Sequence, residues 1–413
     1  MTIDSAKTSR NTYMIVIVAA LGYFVDIYDL ILFGVVRKAS LTELIGADPE
    51  KIKSIGEMLL NWQMAGMLVG GIFWGVLGDK KGRLSVLFGS ILTYSLANIA
   101  NGMIDTIPLY IVCRFLAGVG LAGELGAGIT LVSESMHKDK RGYGTMIVAT
   151  VGVFGAVVAG LTGEFLDSWR YSYYLGGGMG IALLLLRIGI YESGMYEHVA
   201  SSEVSKGNFF SLFSSRKTAY KYFSIIATGI PIWYVIGVLV TFSPETAKAM
   251  GMVKLPKAGI AVTFAFAGLT VGDFLSGMIS QMIRSRKKTI TLFLILTFLC
   301  VVSYFLFGHL SLTIFYTITF LLGLCTGYWA VFMSTASELF GTNIRSTVTT
   351  TAPNFVRGSL ITTTLMIGLC KDVFGFSALT SIIGVGALLF AIAFICLGNI
   401  EETFGKDLDF VEE

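Results

Sequence analysis

Charge is scarce in this chain. Asp, Glu, Lys and Arg make up only 14% of its residues, against about 25% in a soluble domain. Most of its surface is therefore not built for water. Strands alternating polar and apolar residues are also missing, which excludes a membrane β-barrel and leaves helices to satisfy the backbone in lipid. The five cysteines (Cys113, Cys300, Cys325, Cys370, Cys396) show no disulfide framework and no metal-ligand spacing. They read as small apolar packing residues. The three histidines are isolated at or near the ends of apolar stretches. No catalytic constellation appears, so an enzyme is not expected, and neither is a cofactor or a metal site. The net charge of +3 gives no reason to expect a nucleic-acid partner.

What is abundant is apolar sequence, at 54% of the chain. Stretches of about twenty residues, enough to cross a bilayer, fall near 12–36, 57–78, 84–104, 107–133, 143–166, 171–191, 222–244, 258–283, 289–308, 312–338, 347–370 and 377–398. The expected fold is an all-α membrane protein with twelve transmembrane helices. The first stretch lacks a small-residue cleavage site and is not expected to be a removable signal. Lys and Arg concentrate in alternate loops, including Lys80, Lys81, Arg83, Lys140, Arg141, Arg284, Arg286, Lys287 and Lys288. By the positive-inside bias, both termini are cytoplasmic. The longest polar interior segment divides six spans from six. The expected organisation is a bundle over 1–191, a cytoplasmic linker over 192–221, a second bundle over 222–398 and a tail over 399–413.

The densest motif is Gly75-Val-Leu-Gly-Asp79-Lys-Lys-Gly82-Arg83, wedged between two apolar runs. Its glycines let two helices approach closely, and its charges can bridge neighbouring helix ends. The pattern resembles the loop between helices 2 and 3 of the major facilitator superfamily of transporters. The two halves also repeat. Ser133-Glu134 is followed by Arg141, and Ser337-Glu338 by Arg345; Glu192-Ser193 follows span six and Glu402-Thr403 follows span twelve. Such repetition is how many secondary transporters are built. Asp79, Arg83, Glu134, Arg141, Glu338 and Arg345 thus read as a latch between the halves, or as plain helix-end salt bridges. Ser337-Glu-Leu-Phe340 through Arg345, Glu402-Thr-Phe-Gly405, and Arg114 followed by Gly118, Gly120 and Glu124 resemble the sugar porter and metabolite:proton symporter branch of that superfamily. The resemblance covers essentially the whole chain. It implies two six-helix bundles rocking around a site at mid-membrane.

An ionisable group at membrane depth costs at least a few kcal/mol and is a functional candidate by default. Asp26 and Asp29 share one face of the first span at i, i+3 spacing. Arg114 lies about 10 Å below the outer end of span four, at ~1.5 Å per residue, and Asp26 lies at a similar depth. An Asp26–Arg114 pair is expected, either as a proton-coupling device or as a static tie. The resemblance to proton-coupled sugar porters implies the same first-helix Asp and fourth-helix Arg pairing. Glu124 lies deeper in span four among glycines, as a second proton site, a substrate contact or a tie to a neighbouring helix. Glu57 and Glu164, near outer span ends, read as solvated.

Arg357 stands near the middle of span eleven, one turn after Asn354. Its guanidinium fork suits a carboxylate or phosphate, and Asp273, intramembrane in span eight, is a candidate partner for it, a cation ligand or a substrate contact. Relatives in the resembling branch carry an arginine in helix eleven for anionic substrates. Trp233, Tyr234, Tyr328, Trp329, Asn61 and Gln63 complete the candidates for a substrate pocket. The paired glutamines of hexose porters are missing from span seven, which counts against a neutral sugar. The reading is a monomeric secondary transporter of a bacterial inner membrane, coupling protons to import of a small organic anion. Its alternatives are a proton-driven antiporter exporting an organic compound and a sugar or polyol symporter. The glycine-spaced, proline-free fifth span weighs against the antiporter. A transporter-like receptor is less expected, because the chain ends soon after span twelve.

Overall fold

The structure, a computed structural model, describes residues 3–137, 139–187 and 208–412. The Glu192-Ser193 motif and most of the expected linker lie outside the described residues. The long helices in chain order are α1 (Ile3–Ile45), α2 (Pro49–Lys81), α3 (Arg83–Asn101), α4 (Ile107–Ser135), α5 (Arg141–Phe165) and α6 (Trp169–Leu186). They are followed by α7 (Arg216–Trp233), α8 (Ala258–Met282), α9 (Arg286–Phe307), α10 in two parts (α10a, Leu312–Thr326; α10b, Trp329–Leu339), α11 (Arg345–Asp372) and α12 (Ala378–Gly398). No strand occurs among the described residues.

Ten of these helices are long and apolar enough to cross a bilayer. The other two are instructive. α6 opens on the polar run Trp-Arg-Tyr-Ser-Tyr-Tyr, and α11 is polar, burying Ser346, Thr347, Thr349, Thr350, Thr351 and Asn354. α11 tolerates that composition because protein surrounds its polar half, and its threonines return hydrogen bonds to their own helix, as Thr351 does to the Thr347 carbonyl at 2.6 Å. Helices α1–α6 and α7–α12 form two bundles. α5 packs along α8 and α2 along α11, and these two seams join the halves.

Two helices of the second half are irregular. α7 contains Pro231 and continues as a π-helical segment, Tyr234–Val240. Proline has no N–H to give the preceding turn, and π segments of this kind cluster at functional sites. α10 breaks at Gly327-Tyr328. There the α8 backbone comes so close that a Cβ on Gly327 would collide with Gly272 and the Asp273 nitrogen. The expected tenth span, 312–338, is present as Leu312–Leu339, made of two helices in line rather than one. The break exposes the first N–H groups of α10b, and Asp273 Oδ1 accepts one of them from Ala330 at 2.9 Å.

Candidate functional site

Charged side chains collect at the junction of the bundles. Tyr23 and Asp26, one turn apart on α1, face Asn354 and Arg357, one turn apart on α11. Arg357 Nη2 stands 3.7 Å from Asp26 Oδ2 and 3.5 Å from the Tyr23 hydroxyl. Trp329, first residue of α10b, donates its indole N–H to the same hydroxyl at 2.9 Å. Its ring lies 5.7 Å from the guanidinium carbon. Asn354 accepts weakly from Arg357 at 3.5 Å and donates across the seam to the Ala122 carbonyl of α4 at 2.8 Å. Asp26, Asp273, Asn354 and Arg357 are all buried. Arg357 is the cation beside Asp26, and neither Asp26 oxygen accepts a hydrogen bond.

Two expectations are corrected here. Asp26 pairs with Arg357, not Arg114; equal depth along two helices says nothing about which way each side chain points. Arg357 in turn does not pair with Asp273, which caps α10b instead. Arg114 donates to Asn98 and Asn101 at 2.9 and 3.3 Å. Its guanidinium lies 4.8 Å from the Tyr173 ring, and Asp29 is the carboxylate in its field. Glu124 is held inside the first bundle by Arg187, which also donates to the Leu87 carbonyl at 2.8 Å. Gly22 makes that pair possible, since a Cβ there would collide with both side chains.

One face of the molecule, the face of the α2–α3 turn and the C-terminal tail, is closed by a pseudo-symmetric set of ion pairs. Glu134 accepts from Arg83 of its own half at 2.8 Å and from Arg345 of the other half at 3.1 Å. Glu338 mirrors this, accepting from Arg286 at 3.2 Å and from Arg141 of the other half at 2.9 Å. Asp79 takes the backbone N–H groups of Ser346 and Thr347 at 3.1 and 2.8 Å and the Thr347 hydroxyl at 2.7 Å. It thereby caps α11 from the opposite bundle. The tail crosses the same surface, accepting from Arg345 at the Leu408 carbonyl and from Arg141 at the Lys406 carbonyl, both at 2.6 Å. Burial disfavours ionising Glu402, but the Ser285 hydroxyl and the N–H groups of Phe404, Arg286 and Thr403 outweigh it and hold the carboxyl below its usual range. The opposite face has a lighter closure, Arg37 to Glu245 at 3.7 Å.

Two bundles, a buried charged centre and repeated cross-bundle gates are the anatomy of a transporter that opens to one side at a time. A family model described as Major Facilitator Superfamily matches residues 19–359. The chain belongs to the major facilitator superfamily. A Bacillus subtilis protein named for niacin and nicotinamide transport is 25% identical, over 92% of this chain and 94% of its own. A Haemophilus influenzae protein named for metabolite transport is 27% identical, over 72% of this chain and 74% of its own. The solved structure of the proton:xylose symporter XylE covers 97% of this chain and 98% of its own with TM-score 0.75, at 14% identity. That likeness establishes the fold alone.

Within this major facilitator chain the other candidate residues are dispersed. Gln63 donates to the Leu30 carbonyl at 3.4 Å and ties α2 to α1, while Asn61, two residues earlier on the helix, is half-buried. Tyr234 turns toward α12 and donates to the Ile382 carbonyl at 2.9 Å. Tyr328 braces the α10 break against α7 through the Thr228 carbonyl at 2.8 Å. Trp233 is buried within the apolar core. The hydrogen bonds of Gln63, Tyr234 and Tyr328 thus go to helix backbones and not to the Asp26–Arg357 centre. Tyr23, Arg187 and Arg286 are among the participants not anticipated. The half-repeat was a usable signal for Arg286, since it precedes Glu338 by 52 residues and Arg83 precedes Glu134 by 51.

Asp79→Asn is expected to loosen the tail-side gate, since it weakens the cap on α11 while keeping a side chain of the same size. A shift of order 1–3 kcal/mol changes state occupancy several-fold. Cysteine-accessibility labelling from the two faces measures it. Unchanged labelling together with unchanged transport would reduce Asp79 to a static tie.

Proposed function

We propose that this protein is a proton-coupled symporter importing a small carboxylate-bearing metabolite across a bacterial cytoplasmic membrane, with both termini inside. The observation that carries the reading is the loose Arg357–Asp26 pair. A guanidinium bound to a carboxylate in full makes two bonds of about 2.7–2.9 Å. Here the contact is 3.7 Å, and Arg357 Nε has no acceptor. The fork is spoken for electrostatically but not geometrically, so an incoming carboxylate has bonds to gain.

Coupling follows from charge. With Asp26 ionised the pair is neutral, and an added anion meets repulsion as well as attraction. Protonating Asp26 leaves Arg357 buried without a counter-charge, which is costly. A substrate carboxylate restores the balance. The balanced states are therefore the empty, deprotonated carrier and the loaded, protonated one, and moving between faces in those two states is symport. The gates of the tail face and the Arg37–Glu245 contact are the two closures that alternate. Trp329 offers a flat face beside the fork, and niacin, named for the Bacillus subtilis relative, is a carboxylate on an aromatic ring. The basic residues on the tail face support its cytoplasmic placement.

Nicotinate is the first probe. A ligand at one hundred times its Kd stabilises the folded state by about 2.7 kcal/mol. Nicotinate should raise the Tm of the purified protein, and more so as the pH falls, because proton and anion bind together. Nicotinamide, without the carboxylate charge, should do much less. Equal stabilisation by acid and amide at every pH would overturn the anion reading.

A further inference from the structure

Asp273 is the central charge left without a role. Its Oδ1 caps α10b through the Ala330 N–H. Its Oδ2 is buried and has no hydrogen-bond partner. The groups that face it are Tyr23 of α1, Trp329 and Ala330 of α10b, and, beyond the Tyr23 hydroxyl, the Asp26–Arg357 pair. Among the described residues no Lys, Arg or His is ion-paired to Asp273, and α5, α9 and α10a bring it no counter-charge.

The centre thus holds two acids and one cation, and Arg357 is already committed to Asp26. An ionised Asp273 would stand at the middle of a closed protein with only a helix N-terminus for compensation. That terminus offers about half a charge, over a single turn, and an uncompensated buried carboxylate costs several kcal/mol. We infer that Asp273 is a neutral carboxylic acid in the closed carrier, and that its O–H is the donor that reads a hydrogen-bond acceptor on the substrate. Oδ1 stays on the Ala330 N–H, the proton sits on Oδ2, and the count of one proton per monoanion carried by Asp26 is unchanged. The assignment rests on the anion-symport reading and adds a substrate class to it: a carboxylate for Arg357 with an acceptor, such as a ring nitrogen, for Asp273.

Asn is the close mimic of a neutral acid, because its carbonyl can cap Ala330 and its amide can donate. Asp273→Asn should keep the folded protein and a preference for nicotinate over benzoate, which has carbon in place of the ring nitrogen. Asp273→Leu should lose that preference by about tenfold, the worth of one hydrogen bond. Infrared difference spectra need no ligand: a protonated-carboxyl band at neutral pH should be present in the native protein and absent from Asp273→Asn. An unchanged carboxyl region between the two would overturn the inference, as would equal affinity of the native protein for nicotinate and benzoate. If neither compound binds while the band is present, the anion-symport reading and the donor role fall together, and the neutral state of Asp273 stands on the spectrum alone.

Discussion

Arg357→Ala should weaken binding of a carboxylate substrate by on the order of 2–5 kcal/mol, the cost of truncating one side of a buried charge pair. Arg357→Lys keeps the charge but loses the fork, so a smaller loss is expected. The neutral amide of the same compound should suffer little from either change. The geometry also identifies the compensating change. Arg357→Ala leaves Asp26 as a buried acid without its cation, so adding Asp26→Asn should recover folded protein without recovering anion affinity. Calorimetric binding of acid and amide to the three variants measures this. Equal losses for both ligands would remove Arg357 from substrate recognition.

Asp26→Asn should abolish uphill transport while sparing exchange. The amide holds Arg357 permanently in the arrangement that protonation produces, so the anion binds at any pH and nothing links it to a proton. In vesicles, accumulation driven by a pH gradient should vanish, while counterflow of labelled nicotinate continues. Anion affinity, which rises as pH falls in the native protein, should become flat. Accumulation persisting in Asp26→Asn would move the carrier role elsewhere, with Asp29 beside Arg114 and Glu124 beside Arg187 the next acids to replace. Those two acids differ from Asp26 in having their cations within a single bundle, so their pairs need not break when the bundles rock.

The amino-acid sequence by itself determined the class of this protein. Apolar runs of membrane length admit only helices that satisfy their own backbone. The step from Glu134 to Arg141, repeated at Glu338 and Arg345, marks two related halves in the sequence itself. Composition and local spacing carry that information because burial in lipid is a property of each segment on its own. Partner choice is not. Asp26 and Arg114 share a depth, yet the rotation of α1 and α11 gives Asp26 to Arg357, and azimuth is fixed only by packing. α11 counts as an apolar stretch in the sequence, yet its buried half is rich in threonine, which its neighbours rather than lipid solvate. The sequence leaves Asp273 open between a partner for Arg357, a cation ligand and a substrate contact, and only the break in α10 sets a helix N-terminus against it. Each of these depends on which surfaces close-packed helices present to one another, and one chain's local pattern does not contain that relation.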